Sequence, residues 1–207
     1  GADTRVSGTV RITASQPVAC VLLPPLLVRM RQALPDVQVE LVASNAISNL
    51  LRREADIALR MVRPDQASLV AKRIGQVTVG AWAHRDYLRR RGTPRQPMDL
   101  LTHEVVGTDR DDTIRRGFAR FGFPVGPETF GLRTDDLMAY WAAVRAGLGV
   151  GFIADYMART DNEVQPLLPM IKIPPLPIWL TVHREIRTNP RIRAVYDFLA
   201  DAVPKAL

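Results

Sequence analysis

The stretch from Thr9 to Met61, TVRITASQPVACVLLPPLLVRMRQALPDVQVELVASNAISNLLRREADIALRM, decides the fold class. Val10, Ile12 and Ala14 alternate with polar residues, the two-residue period of a half-buried strand, and Ser15-Gln16-Pro17 breaks the run. Leu22, Leu23, Leu26, Leu27, Met30 and Leu34 then recur at helical spacing, with Arg29, Arg31 and Gln32 on the other side. Pro24 and Pro25 suit a first helical turn, where a missing N–H removes no internal bond. Pro35-Asp36 ends the helix, and Val37 to Val42 predicts a second strand. Ser44-Asn45 is placed to cap a helix carrying Ile47, Leu50 and Leu51, and Asp56 to Met61 predicts a third strand. Strand, helix, strand, helix, strand in so short a span implies parallel strands joined by right-handed crossovers.

The alternation resumes downstream. Val77 to Ala83, Glu104 to Gly107, Thr129 to Arg133, Val150 to Ile153 and Ile178 to His183 read as strands. Thr113 to Phe121, Asp135 to Ala146, Asp155 to Arg159 and Ile192 to Val203 read as helices. Two α/β units in one chain of 207 residues predict two subdomains whose strand ends face a ligand cleft.

Composition narrows the function. At 47% hydrophobic and 24% charged residues, the chain has the proportions of an ordinary globular protein. No apolar run reaches the roughly 18 to 20 residues of a membrane span, and the longest, around Ile153, is interrupted by Asp155. Cys20 is the single cysteine, so no internal disulfide can form, which fits a cytoplasmic location. The formal charge is +7, and all but three of the 28 basic residues are arginine. They are scattered, however, and the densest cluster, Arg85 to Arg95, reads as a solvated helix end rather than a nucleic-acid surface.

No enzyme signature is present. Gly147, Gly149 and Gly151 follow a helix and precede a strand, the reverse of the order in a dinucleotide loop. His84, His103 and His183 lack metal-ligand spacing, and there is neither a Gly-x-Ser-x-Gly elbow nor a phosphate-binding loop. No catalytic group, metal or cofactor is expected. Ser15-Gln16 and Ser44-Asn45 each follow a strand of one parallel sheet at a predicted helix start. Their hydroxyls, amides and backbone N–H groups therefore share an edge, where they suit either a polar small molecule or simple helix capping. Asp135-Asp136 at a strand-to-helix junction is open to the same two readings, a carboxylate pair or caps.

An ordered series of segments resembles the effector-binding domain of LysR-type transcriptional regulators. It comprises Val10-Arg11-Ile12-Thr13-Ala14, Leu22-Leu23-Pro24-Pro25-Leu26-Leu27, Leu34-Pro35-Asp36-Val37 and Arg53-Glu54-Ala55-Asp56-Ile57-Ala58-Leu59-Arg60. It continues through Ser68 to Gly75, Tyr87-Leu88, Gly92-Thr93-Pro94 and Ala146 to Gly151, with Gly107 to Arg133 the weakest match. The resemblance implies a type-2 periplasmic-binding-protein fold, two Rossmann-like subdomains joined by two crossovers. The subdomains expected are 1–76 plus 177–207, and 77–176. It implies a ligand pocket on Ser15, Gln16, Ser44, Asn45 and Arg60 from the first subdomain and Thr108, Asp109, Thr134 and Asp135 from the second. Arg60 is there the natural partner of an anionic small-molecule effector, sensed in the interdomain cleft and transmitted allosterically. It further implies homodimers or tetramers, with operator DNA bound only through an N-terminal winged helix-turn-helix that this chain lacks, and no membrane association. A free-standing solute-binding protein of a transport system is the alternative reading of the same fold.

Overall fold

The computed structural model describes residues 5–45 and 55–207; the helix expected around Ile47, Leu50 and Leu51 lies outside the described residues. The chain divides into two compact units, Gly1–Val77 with Pro175–Leu207, and Thr78–Pro174.

The first unit is built on a five-stranded sheet of order β2-β1-β3-β8-β4. Strand β1 (Gly8–Ala14) runs parallel to both β2 (Val37–Ala43) and β3 (Ile57–Arg60). The opening stretch predicted this parallel core. Strand β8 (Leu176–His183) lies antiparallel between β3 and β4 (Leu69–Val77). β4 was not legible as a strand, because Lys72, Arg73 and Gly75 break its apolar alternation and its register shifts between Arg73 and Gly75. The expected strand Val77 to Ala83 is in fact the end of β4 and a separate β5 (Val79–His84).

One face of the sheet carries Val10, Ile12, Ile57, Leu59 and Leu180, all fully buried. Helices α1 (Leu23–Ala33) and α6 (Pro190–Ala206) pack against this unit with Leu23, Leu26, Met30, Val195, Leu199 and Val203 inward. Before α1 the chain makes a π-helical turn, Val18–Leu22, in which the Leu23 N–H bonds the Val18 carbonyl. Pro24 and Pro25 follow it and supply no N–H to the turn before them, so the widened turn stands where α-type bonds are missing.

The second unit centres on an antiparallel sheet of order β6-β5-β7, with β6 Gly151–Ala154 and β7 Val164–Leu167. The strands expected at Glu104 to Gly107 and Thr129 to Arg133 are reduced to single parallel bridges, Val105 to Val150 and Gly107 to Arg133. Pro127–Thr129 instead forms a 3-10 turn that drives Phe130 into the core, edge-on to Phe118 at 5.8 Å. Around these pack α2 (Arg85–Arg91), α3 (Thr113–Arg120), α4 (Leu137–Arg145) and the short α5 (Asp155–Ala158).

The glycine-rich run has the structural role its order suggested. Gly147 has φ +84° and closes α4: its N–H bonds the Val144 carbonyl and the Leu148 N–H bonds that of Ala143. A Cβ on Gly149 would stand 2.4 Å from the Glu104 carbonyl oxygen. Close backbone approach, not a phosphate, explains the motif.

Tyr140 on α4 is the polar link within this core. Its hydroxyl donates to the Val106 carbonyl at 2.7 Å and accepts from the Phe152 N–H at 3.0 Å, while burial pushes the phenol pKa up. Tyr140→Phe should leave both backbone groups without that partner, at about 1–3 kcal/mol each. Urea unfolding should show the midpoint falling with the slope unchanged; an unaltered midpoint would contradict the assignment.

Candidate functional site

In the first unit, the carboxyl ends of β1, β2 and β3 form one edge, the edge at which ligands meet open α/β sheets. Ser15 and Gln16 follow β1, and the chain is helical from Gln16 onward. Ser44 and Asn45 follow β2, and the Ser44 N–H extends the ladder by bonding the Ala14 carbonyl at 2.9 Å. The Asn45 side-chain oxygen accepts from the Gln16 N–H at 3.3 Å. Asn45 therefore caps the helix that follows β1; the helix it was expected to start lies outside the described residues. The Ser15 hydroxyl has no partner among the described residues.

Arg60, the last residue of β3 and the expected partner of an anionic effector, is engaged within the protein. It is only 8% exposed, and its guanidinium donates to the Ser44 carbonyl and, at 2.9 Å, to the Thr13 hydroxyl. Burial pulls its pKa down, yet an arginine remains charged. Arg60 thus ties the ends of three parallel strands together and fixes a positive charge just beneath the edge.

Strand pairing explains where this charge sits. Thr13 pairs with Ala58 and Ala58 with Thr181, so Thr13, Arg60, Thr181 and His183 all share one sheet face. These are the buried polar side chains among the described residues. Of the four, only Arg60 is expected from the sequence; the available signal was the polar alternation Thr9, Arg11 and Thr13 on β1 and the Thr181–His183 pair on β8.

In the second unit, Thr108 and Asp109 follow Gly107, and Thr134 and Asp135 follow Arg133. The bridge between Gly107 and Arg133 brings the two turns together, with the Thr134 N–H on the Gly107 carbonyl at 3.1 Å. Asp135 does not open the helix, as the sequence suggested. Its carboxylate accepts the N–H groups of Asp109 at 2.8 Å, Arg110 at 2.9 Å and Asp111 at 3.3 Å. The helix starts at Leu137 and is capped by Asp136, which accepts from Met138 and Ala139, both at 2.9 Å. Thr134 Oγ1 accepts from the Asp136 N–H, and Thr108 Oγ1 donates to the Asp111 carbonyl. The N–H groups of residues 109–111 are thus taken by Asp135, with which an added anion would compete.

Chemically, the first edge has a hydroxyl without a partner among the described residues, a helix start capped by Asn45 and a cation bonded to the strand ends; the second has a turn closed on its own carboxylate. Among the described residues no group of three or more His, Cys, Asp or Glu is arranged to hold a metal ion, and no helix is long and apolar enough to cross a membrane.

The two-unit α/β architecture with this edge is a class of fold, and comparison with known proteins makes the class specific. The family model for the LysR substrate binding domain matches residues 3–204, so the chain belongs to that family. It is 23% identical over 202 residues to the HTH-type transcriptional regulator CrgA of Neisseria meningitidis serogroup C (strain 8013), covering 94% of this chain and 67% of that protein. It is 23% identical over 209 residues to the HTH-type transcriptional activator AaeR of Escherichia coli (strain K12), covering 94% of this chain and 64% of that protein. The chain thus spans about two thirds of the length of these relatives. The solved regulatory domain of CrgA from Neisseria meningitidis superposes with a TM-score of 0.80 over 95% of this chain and 99% of its own, at 24% identity. The fold is therefore that of a LysR regulatory domain, and the relatives are transcriptional regulators rather than enzymes.

The Asp135 geometry has a pH signature. N–H donation from Arg110, then Asp109, holds its carboxyl below the usual carboxylate range, against a smaller opposing effect of desolvation. With the folded pKa depressed, its contribution is present above the ordinary value and disappears as pH falls through the lowered one. Asp135→Asn should lower stability at neutral pH and flatten the loss of stability below about pH 4, read from urea midpoints across pH. A variant with the acid limb of the parent would show that the turn does not depend on this carboxylate.

Proposed function

We propose that the chain is the effector-sensing part of a LysR-type DNA-binding transcriptional regulator and that its effector is a small anion. The observation that carries the anion is Arg60, a buried guanidinium held under an edge where the Ser15 hydroxyl has no partner among the described residues. The effector's carboxylate meets Ser15, Gln16, Ser44 and Asn45 there, with Arg60 supplying the field. Thr108, Asp109, Thr134 and Asp135 are the ligand-binding residues proposed for the second unit. Because their turn is already closed, the first unit supplies most of the anion's affinity.

Sensing then follows thermodynamically. An effector shifts the protein between two arrangements only by the difference of its affinities for them. In the whole regulator this difference reaches operator DNA through a separate N-terminal domain, in a cytoplasmic homodimer or tetramer. The names of CrgA and AaeR as HTH-type regulators support this reading over a transport protein. No reaction is assigned to the chain.

A thermal-shift screen across organic acids, amino acids and sugars should find its hits among carboxylates. Ser15→Ala should then weaken the hit about ten- to a hundredfold, the scale of one lost charge-assisted hydrogen bond of about 1.5–3 kcal/mol, with the melting temperature of the free protein unchanged. Calorimetry showing unaltered affinity in that variant, with neutral sugars as the only hits, would overturn the assignment.

A further inference from the structure

We propose that Tyr87 and His103 form an acid-sensitive latch in the second unit, a hydrogen-bonded pair that fixes the start of the segment 104–107 at neutral pH and releases it when the imidazole is protonated. The latch goes beyond the effector reading above and needs no effector to act.

Two short elements build the pair. Tyr87 of α2 is fully buried, in one cluster with Leu100, Val105 and Phe118. A 3-10 turn, Pro97–Thr102, follows α2 and is started by Asp99, whose carboxylate accepts the Arg95 and Gln96 N–H groups at 2.8 and 3.2 Å. The turn closes with the His103 N–H on the Leu100 carbonyl at 3.3 Å, and the imidazole stands beside the phenol with ring centroids 5.8 Å apart. Arg91 ties the two elements by donating to the Thr102 carbonyl at 2.9 Å.

Proton counting gives the pair its sense. The Tyr87 oxygen accepts the Glu104 N–H at 3.0 Å and lies 2.6 Å from His103 Nδ1, with no other partner among the described residues. The hydroxyl hydrogen therefore goes to Nδ1, and the neutral imidazole carries its own proton on Nε2. Burial pushes the phenol pKa up, which keeps that hydrogen in place. An imidazolium has an N–H at both ring nitrogens. Nδ1–H would then face the phenol, and the hydroxyl hydrogen would lose its acceptor inside the core, a state that a buried polar group resists.

The charges around the ring act in the same direction. Arg91 from α2 repels an imidazolium, and Asp99 from the 3-10 turn attracts it. Arg90 lies 5.6 Å from the centroid of the Tyr87 ring and donates to the Gly147 carbonyl, while the Glu104 carboxylate lies against Gly131. Burial and, after it, Arg91 hold the His103 pKa below its usual range, with Asp99 opposing. With the folded value lowered, the latch is whole above the ordinary pKa of about 6.5, and its contribution is lost as pH falls through the lowered one. Beyond Glu104, the segment makes only single bridges, from Val105 to Val150 and from Gly107 to Arg133, and Thr108 and Asp109 follow directly. Acid thus loosens the root of that turn. A consequence for the effector rests on the reading above; the latch does not.

The test is long-range proton–nitrogen spectroscopy of the imidazoles with amide hydrogen exchange, on this chain, from about pH 7.5 to about pH 5. His103 should be the Nε2–H tautomer at the upper end and titrate below the ordinary histidine range. Protection of the Glu104 amide, corrected for the intrinsic rate, should fall about tenfold or more across the range, while the Phe152 amide, bonded to Tyr140, keeps its own. His103→Asn places a neutral carbonyl oxygen near the position of Nδ1 and should make the Glu104 protection independent of pH. If that variant does not fold, the tautomer and titration of the parent decide. An Nδ1–H tautomer, titration at or above the ordinary value, or constant Glu104 protection in the parent would overturn the latch. So would a loss that Phe152 shares or that persists in His103→Asn.

Discussion

One buried guanidinium sets the terms for the first unit. Arg60 lies at the end of β3 and donates both to Thr13 of β1 and to the carbonyl of Ser44 just past β2. A charge so placed is costly unless it is hydrogen-bonded, and hydrogen bonds to charged groups contribute about 1.5–3 kcal/mol each. The strand ends satisfy Arg60, and Arg60 in turn holds them in register at the edge where the helix after β1 begins. The Asn45 bond to Gln16 adds a second tie across the same edge. A preorganised edge of this kind loses little entropy when a ligand arrives.

The second unit meets the same requirement differently. Its two turns, after Gly107 and after Arg133, are closed by the Asp135 carboxylate on three successive N–H groups. Tyr140 ties the strand-like segment at Val106 to Phe152 on β6. The turn's N–H groups are thus internally occupied in this unit, while in the first the strand-end cation Arg60 is bonded to Thr13 and Ser44 and the Ser15 hydroxyl has no partner among the described residues.

Much of this was legible in the sequence, for a physical reason. Strand β1 alternates and helix α1 recurs with a clean period, because each turns an apolar face to a common core; β3 is buried along its whole length and is legible instead as a short apolar run. Their boundaries moved by only a residue or two. Strand β4 was missed because Lys72, Arg73 and Gly75 interrupt its alternation, and β7 because it is short and contains Pro166. The bridges at Val105 and Gly107 look like strands in sequence, but the 3-10 turn at Pro127 leaves one of them no continuous partner. Residue types at the candidate site could not separate contact from cap. Asp135 and Asp136 are adjacent and alike, yet one closes a turn and the other starts a helix. Arg60 was recognisable as a strand-end cation, but its burial depends on Thr13 and Ser44, which reach it only through sheet pairing.

The role of Arg60 is tested most directly by native-state hydrogen exchange on the parent and on Arg60→Gln. The account predicts that the Ser44 and Gln16 amides lose about tenfold or more of their protection, since about 1.4 kcal/mol corresponds to tenfold. The Phe152 and Val150 amides of the second unit should keep theirs. Parental protection at Ser44 and Gln16 in the variant would contradict it, because the edge would then hold without the buried guanidinium.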